Sequence, residues 1–401
     1  MKSRFVLAGW VGLLALVSGS CSNTNSVVTG TGTGFLWVLT QGDQMVTAYN
    51  VSLANGVAGQ VGTSVPTGAG PIAIAITPAG DALFVANRDD NTVSAYTVNT
   101  DGSLIFPCSA VGCNKFAASP VAGTPLALAI DPAGKFLFVA NQASQSLFPP
   151  PPLSPDSVTV FSIQGAALTY VGAFPSIGNG PAGLVASPNG NYLYVANQYA
   201  STVSILSYDI NGTLTQAPTS PITVGTNPSG LAFSRCAGTT TATITTNDCP
   251  TAAPPGYLFV ANTGSNNVSI FSACTQITTA CPSANGTLTQ IPGSPVPAGV
   301  GPISFMVNQA RDLVYVVDHG SFQITQYQYN SASGFLNALS PATASTGASP
   351  LTGGITSDGN WIFIPNNGGS SLSVYAVGVG GQLNTGTAVP LVGQPSAVLI
   401  R

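Results

Sequence analysis

Short apolar runs recur along the chain, and most of them end in an asparagine. Four copies are nearly identical and read LFVAN or LYVAN, at residues 83–87, 137–141, 193–197 and 258–262. Weaker copies lie at residues 36–40, 314–318 and 362–366. Self-similarity at a regular interval is typical of repeat architectures, in which each unit buries its apolar face against its neighbours. The pattern therefore predicts seven repeats.

Each repeat contains signals for more than one strand. A proline followed by small and apolar residues precedes most copies, as in PIAIAI from Pro71 and PLALAI from Pro125. Turn sequences such as TPAGD at residues 77–81 separate this run from the apolar run. An alternating segment such as TVSAY, ending at Tyr96, follows, and a weaker fourth strand comes after it. Four short antiparallel strands per repeat are typical of one β-propeller blade.

The two ends of the chain complement each other. The first copy lacks its own proline-led strand, and the last proline-led run, at residues 395–400, lacks its own blade. Pairing the two would close the ring and remove an exposed sheet edge. The sequence thus predicts an all-β fold: a seven-bladed β-propeller of four-stranded antiparallel blades over residues 35–401, closed by the C-terminal strand joining the N-terminal blade.

Composition excludes several other classes. Of 401 residues, only 8 are Lys or Arg and 12 are acidic, all of them Asp, while 44% are hydrophobic. Long amphipathic helices need Glu and Lys on their solvent face, so the composition argues against them. The apolar content is enough for a sizeable core. A formal net charge of −4 makes a nucleic-acid partner improbable.

The N-terminus is typical of an exported protein. Lys2 and Arg4 precede an apolar run at residues 5–17, and small residues lead to Cys21. This segment resembles the lipobox of bacterial lipoproteins, although Ser18 stands where an aliphatic residue is usual. We expect a signal peptide at residues 1–20, a lipidated Cys21 opening a flexible tether at residues 21–34, and an envelope lipoprotein, periplasmic or on the outer surface. The alternative is an ordinary signal peptide cleaved nearby.

Six further cysteines fall in three couples that are close in sequence. Such couples in loop-rich stretches of an exported chain favour disulfides. Zinc binding is the alternative. The sequence has no C-x-x-C motif and only one histidine, so it lacks the usual zinc ligands, and we expect no metal and no cofactor. The couples are Cys108 with Cys113, Cys236 with Cys249, and Cys274 with Cys281.

The repeat resembles a known family. It is similar to the YVTN-type repeat and to the seven-bladed lactonase family of 6-phosphogluconolactonase-like proteins, most clearly at residues 85–88 (VANR) and 91–93 (NTV). The resemblance implies a lactone-opening activity. The family also carries a Pro-Arg-His at an inner strand and an Asn-Glu after a later one. This chain lacks both, since no proline-led strand contains Arg or His and there is no Glu.

Residues at the strand ends are the candidates for a site. In a propeller they converge around the channel, where ligands commonly bind. Only Arg88, Asp318 and His319 among them are ionisable. The candidate ring comprises Gln41, Asn87, Arg88, Gln142, Gln198, Thr263, Asp318, His319 and Asn367.

Each candidate also has a purely structural interpretation. Asp318 could orient His319 as a general base, but neighbours on a strand point to opposite faces. A turn-capping role is therefore favoured for Asp318, and His319 is interpreted as a loop residue. The repeated asparagines are expected to tie strand ends to loops rather than to form a ligand cage. The Asp89-Asp90-Asn91 segment lacks the EF-hand spacing and is interpreted as a polar loop rather than a calcium site.

The sequence is compatible with two functions. The favoured one is a monomeric, membrane-tethered module that is not catalytic and binds a protein, peptide or glycan. The alternative is a divergent lactonase hydrolysing a sugar lactone, with Arg88 holding an anionic group and Asp318 or His319 directing water.

Overall fold

The structure is a computed structural model that describes residues 32–105, 115–117, 123–143, 156–175, 178–234, 256–275 and 284–401. All regular structure in these ranges is β-strand, arranged in seven antiparallel sheets. The predicted fold is confirmed: the chain is a seven-bladed β-propeller. No helix in the described ranges has the length and apolar character needed to cross a membrane.

Each blade runs from the central channel outward in chain order. The first four blades contain these strands: in blade 1, β1 (Thr33–Thr40), β2 (Met45–Ser52) and β3 (Ala58–Pro66); in blade 2, β4 (Pro71–Ile76), β5 (Ala82–Asn87), β6 (Thr92–Val98), β7 (Leu104–Ile105) and β8 (Lys115–Ala117); in blade 3, β9 (Thr124–Ile130), β10 (Phe136–Gln142), β11 (Ser157–Gln164) and β12 (Ala167–Pro175); in blade 4, β13 (Pro181–Ala186), β14 (Tyr192–Asn197), β15 (Thr202–Tyr208), β16 (Leu214–Gln216) and β17 (Ile222–Thr223).

The remaining blades follow the same order. They contain: in blade 5, β18 (Pro228–Phe233), β19 (Tyr257–Asn262), β20 (Asn267–Ala273), β21 (Leu288–Gln290) and β22 (Val296–Pro297); in blade 6, β23 (Pro302–Asn308), β24 (Leu313–Asp318), β25 (Gln323–Tyr329) and β26 (Leu336–Ser345); in blade 7, β27 (Gly354–Ile355), β28 (Trp361–Asn366), β29 (Ser371–Ala376) and β30 (Thr387–Pro390); and, completing blade 1, β31 (Pro395–Ile400). In blades 2, 4 and 5 the outermost strand is divided in two.

The ring closes through the chain ends. β31 pairs antiparallel with β1, with Leu36 opposite Ile400 and Val38 opposite Val398. It forms the innermost strand of the sheet β3-β2-β1-β31. This confirms the predicted closure and leaves no blade open at the channel.

The core lies between the blades. The described residues form seven hydrophobic clusters, each shared by two adjacent blades. In β1, Leu36 and Val38 pack against blade 7, whereas Trp37 and Leu39 pack against blade 2. Because side chains alternate along a strand, a strand between two blades must be apolar on both faces. This explains why the repeated apolar runs show no alternation.

Polar tips of aromatic side chains also link neighbouring blades. The Trp37 indole donates to the Gly102 carbonyl at 2.9 Å, and the Tyr194 hydroxyl donates to the Gly286 carbonyl at 2.8 Å. In both cases the ring lies on a second strand and the carbonyl in an outer turn of the next blade. These bonds satisfy buried donors while fixing the angle between blades.

Candidate functional site

Seven of the nine predicted strand-end residues lie at one end of the channel, whereas Asn87 and Asp318 are buried inside the blades. Backbone N–H groups of the strand-end residues donate to carbonyls just before the proline-led strand of the same blade: Arg88 to Gly70 (2.9 Å), and His319 to Gly301 (2.9 Å). Equivalent bonds hold Gln41, Gln198, Thr263 and Asn367. We call this end of the propeller the strand-end rim. The hairpins between first and second strands lie at the opposite end.

A β-bulge lies at the rim in most blades. The pairing register of the innermost strand shifts just after its proline, for example between Pro71 and Ala73 and between Pro302 and Ser304. Bulges leave one residue unpaired and re-aim its side chain, and they are common beside active sites. Blade 7 differs, since its innermost segment pairs only at Gly354–Ile355 and through a bridge from Pro350.

Three strand-end side chains bond to the next blade. Each donates to the carbonyl of the proline that begins the neighbouring innermost segment. These bonds are Thr263 Oγ1 to Pro302 (2.7 Å), His319 Nδ1 to Pro350 (2.9 Å) and Asn367 Nδ2 to Pro395 (3.2 Å). We call this recurring contact the proline clasp. Thr, His and Asn are thus equivalent as donors here, but only His adds a titratable group.

The proline clasp fixes the tautomer of His319. A carbonyl oxygen can only accept, so Nδ1 of the neutral ring must carry the proton. Nε2 is then the unprotonated nitrogen, and no residue in the described ranges donates to it. The ring is half-buried at the rim beside the irregular segment of blade 7. A held neutral imidazole with a free lone pair is suited to act as a general base.

The repeated asparagines lie behind the rim, inside the blades. They are fully or almost fully buried, and their amides donate to hydroxyl or amide oxygens at the start of the third strand. Asn87, for example, donates to Thr92 Oγ1 (3.0 Å) and Ser94 Oγ (2.9 Å) and accepts from the Gly68 N–H (3.0 Å). Asn141, Asn197, Asn262 and Asn366 make related bonds. These hydrogen bonds join the second strand of each blade to its third strand.

Asp318 occupies the asparagine position in blade 6. It is fully buried, and its Oδ2 accepts from Thr325 Oγ1 at 2.5 Å. Its Oδ1 has no hydrogen-bond partner among the described residues. Burial raises the pKa of this carboxyl to about 6. Asp318 and His319 therefore contact different groups on opposite sides of the strand end, and the structure does not bring them together as a dyad.

Replacing Asp318 with Asn should stabilise the protein at neutral pH. Between pH 4 and pH 6 the folded state keeps the proton that the unfolded chain releases, so stability falls as pH rises through this window. A shift from 3.8 to about 6 corresponds to about 3 kcal/mol at pH 7. Thermal melts should show Asp318→Asn more stable at pH 7 and equal to wild type below pH 4.

The reverse exchange in blade 5 is the matched control. Asn262→Asp would place a carboxylate at the equivalent buried position, so it should destabilise the protein at pH 7. If Asp318→Asn raised the melting temperature equally at pH 4 and pH 7, the stabilisation would not come from removal of the buried charge.

Arg88 is paired rather than free. Its Nε donates to Asp89 Oδ1 at 2.8 Å, with both side chains about half exposed. Hydrogen bonding from Arg88 lowers the pKa of the Asp89 carboxyl. Asp90 accepts from the Ala69 N–H at 2.7 Å, and Asn91 has a positive φ of 56°, as in a tight turn. No group of three potential metal ligands occurs in the described ranges.

The cysteine couples lie largely outside the described residues, as do Cys21 and the leader. Cys274 is disulfide-bonded. Cys108, Cys113, Cys236, Cys249 and Cys281 fall in ranges that are not described, so the three local pairings stay a prediction.

The fold and its polar rim define a propeller of the lactonase class. The family model described as Lactonase, 7-bladed beta-propeller matches residues 22–115, 117–228 and 251–400. The chain belongs to this family, which confirms the resemblance seen in the repeat.

Individual relatives agree with this assignment. A 6-phosphogluconolactonase of Formosa agariphila is 28% identical over 157 residues, a match that spans 38% of this chain and 41% of the relative. The periplasmic gluconolactonase of Pseudomonas aeruginosa superposes with a TM-score of 0.69 at 19% identity, covering 92% of this chain and 99% of the other. A candidate 6-phosphogluconolactonase from Bacteroides fragilis superposes with a TM-score of 0.71 at 16% identity. The superposition covers 95% of this chain and 100% of the other.

The expectation of a non-catalytic binding module is wrong. It rested on the missing Pro-Arg-His and Glu, whereas the family match spans most of the chain and the related proteins are lactonases. Sequence reasoning also missed the proline clasp. Its acceptor is a backbone carbonyl, which has no sequence signature beyond the proline itself.

Proposed function

We propose that this protein hydrolyses the lactone of a sugar acid at the strand-end rim. One observation carries the proposal: the proline clasp holds His319 with Nδ1 protonated and Nε2 free to accept a proton. The family assignment supports the same reaction.

The reaction needs one base at the rim. A water molecule attacks the lactone carbonyl carbon while His319 Nε2 accepts its proton, giving a tetrahedral oxyanion and an imidazolium. When the oxyanion collapses, the ring C–O bond breaks. The imidazolium returns the proton to the leaving alkoxide, so the product is the open hydroxy acid and the base is regenerated.

The Pro350 carbonyl assists this cycle. It accepts from Nδ1 in the neutral ring and continues to accept when the ring becomes cationic, so the imidazolium is stabilised without moving. Asp318 is buried behind the strand and plays no part in proton transfer.

Acid release from glucono-1,5-lactone tests the proposal. The purified protein should accelerate hydrolysis above the rate in buffer in a pH-stat assay, and heat-unfolded protein should not. Rates equal to buffer for both five- and six-membered sugar lactones would overturn it.

We also propose that the protein acts in the cell envelope, tethered through Cys21. The leader-like N-terminus and the similarity to a periplasmic gluconolactonase support this location. Fractionation of cells expressing wild type and Cys21→Ala would test it, since equal partitioning of both into the soluble fraction contradicts the anchor.

A further inference from the structure

We propose that the substrate is an uncharged, unphosphorylated sugar lactone, taken in preference to its phosphate ester. The proposal rests on the proposed function and specifies its substrate class. It follows from where the cationic side chains lie and from what surrounds the rim.

Among the described side chains, most cations lie at the end of the propeller opposite the rim. Lys135 is in the β9–β10 hairpin, where its backbone N–H bonds to Asp131. Arg311 and Arg401 donate to backbone carbonyls of opposite-end turns, at Gly378 (3.1 Å) and Pro78 (3.0 Å). Among the side chains that the structure describes, Arg88 is the one cation at the strand-end rim.

Arg88 is already neutralised. Both ends of its guanidinium face Asp89, with Nε to Oδ1 at 2.8 Å and Nη2 to Oδ2 at 3.4 Å. Asp89 is held in place, since its carboxylate fills the space where a Cβ at Gly70 would lie, 2.3 Å from Oδ2. Asp90 is adjacent and anchored to the Ala69 N–H. Arg88, Asp89 and Asp90 together therefore give this part of the rim a net negative charge, counted over its described side chains.

A phosphate group would be disfavoured there. A sugar phosphate carries a charge of about −1.5 to −2 at pH 7 and is bound by unpaired Arg or Lys side chains. Asp89 and Asp90 would repel it, and Arg88 could engage it only by breaking its ion pair. An uncharged lactone is not repelled by the two carboxylates and does not need to break the ion pair.

At the strand ends of most other blades the rim carries neutral groups, and Asp43 and Asp156 add acidic side chains beside them. Its strand-end positions in blades 1, 3, 4 and 7 carry the amides of Gln41, Gln142, Gln198 and Asn367. The Gln142 Nε2 is buried and has no hydrogen-bond partner among the described residues. Such amides bind the hydroxyls of a polyol without requiring charge.

Apolar side chains complete the same surface. Tyr199 is 53% exposed, Phe322 46% and Val300 56%, and all three lie in rim loops. The faces of a sugar ring present C–H groups that pack on aromatic and aliphatic surfaces. Polar amides beside exposed aromatic rings therefore match an uncharged sugar better than a dianion.

Paired kinetics test the substrate class. Initial rates are measured on glucono-1,5-lactone and on its 6-phosphate under one set of conditions, each corrected for buffer hydrolysis. We expect kcat/KM to be at least about 10-fold higher for the uncharged lactone. An equal or higher value for the phosphate ester overturns the inference and leaves the lactonase function standing.

An Asp89→Asn variant tests the cause. It frees Arg88, so relative kcat/KM for the phosphate ester should rise about 3- to 10-fold, an effect that salt weakens. Asp209→Asn removes the same charge from a turn at the opposite end and should leave the ratio unchanged. An unchanged ratio in Asp89→Asn contradicts the role of the ion pair.

Binding provides a readout that does not need turnover. Calorimetry with the uncharged gluconolactam and its 6-phosphate should show tighter binding of the uncharged compound. If neither lactone is hydrolysed, the proposed function fails, and calorimetry still decides whether the rim prefers an uncharged ligand; tighter binding of the phosphate would contradict that preference.

Discussion

Deletion of residues 395–401 is expected to lower the melting temperature sharply and to cause aggregation. The deletion removes β31, so blade 1 loses its innermost strand and β1 becomes an exposed edge. Ala397 and Val398 are almost fully buried, at 2% and 3% exposure, and Leu399 packs against the cluster shared by blades 1 and 2.

The expected loss approaches the stability of a whole domain. Burial of an aliphatic side chain of this size is worth about 1.5–3 kcal/mol, and a typical domain has about 5–15 kcal/mol in total. Circular dichroism melts with light scattering measure both effects. Deleting residues 22–28 removes equally many residues from the predicted tether, and if both deletions were tolerated alike, closure through β31 would be wrong.

Replacement of His319 with Asn should abolish most lactone hydrolysis while leaving the fold intact. Asn367 makes the proline clasp in blade 7, so Asn at position 319 can donate to the Pro350 carbonyl in the same way. The substitution keeps the contact between blades and removes only the base. Loss of a general base typically costs about 10²- to 10⁴-fold in rate.

His319→Ala separates the two roles. It removes both the base and the clasp, so it should lower activity and the melting temperature together, whereas His319→Asn should lower activity alone. Retention of wild-type kcat by His319→Asn would show that His319 is only a structural donor.

The fold could be predicted because its signals are local and repeated. Each blade needs an apolar second strand between two neighbours, and the LFVAN runs report this requirement directly. Closure of the ring could be predicted for the same reason. The run at residues 395–400 has no blade of its own, and the first blade lacks its innermost strand.

Blade 7 shows where the repeat pattern misleads. The run PLTGGI from Pro350 has the same form as those from Pro71 and Pro125 and so predicts an innermost strand, but regular pairing is restricted to Gly354–Ile355. Gly353 and Gly354 supply no side chain for packing and weaken a strand. The similarity of this run to the other repeats does not reveal that its strand is shortened.

The site was harder to predict than the fold. The candidates Arg88 and His319 do lie at the rim, but the sequence could not show that Arg88 is paired with Asp89 or that His319 bonds to Pro350. Both facts depend on contacts between loops or between blades. The missing Pro-Arg-His and Asn-Glu motifs are therefore weak evidence against catalysis in this chain.

The location of bound substrate tests the central claim most directly. A crystal structure with gluconolactam, which cannot be opened by this route, should show the ligand at the strand-end rim with its carbonyl region near His319 Nε2. The propeller also has a pocket of about 500 Å³ at the opposite end, lined by Phe35, Asp81, Asn99 and Arg401. Lactam bound in that pocket, with the rim empty, would contradict a catalytic site built on His319.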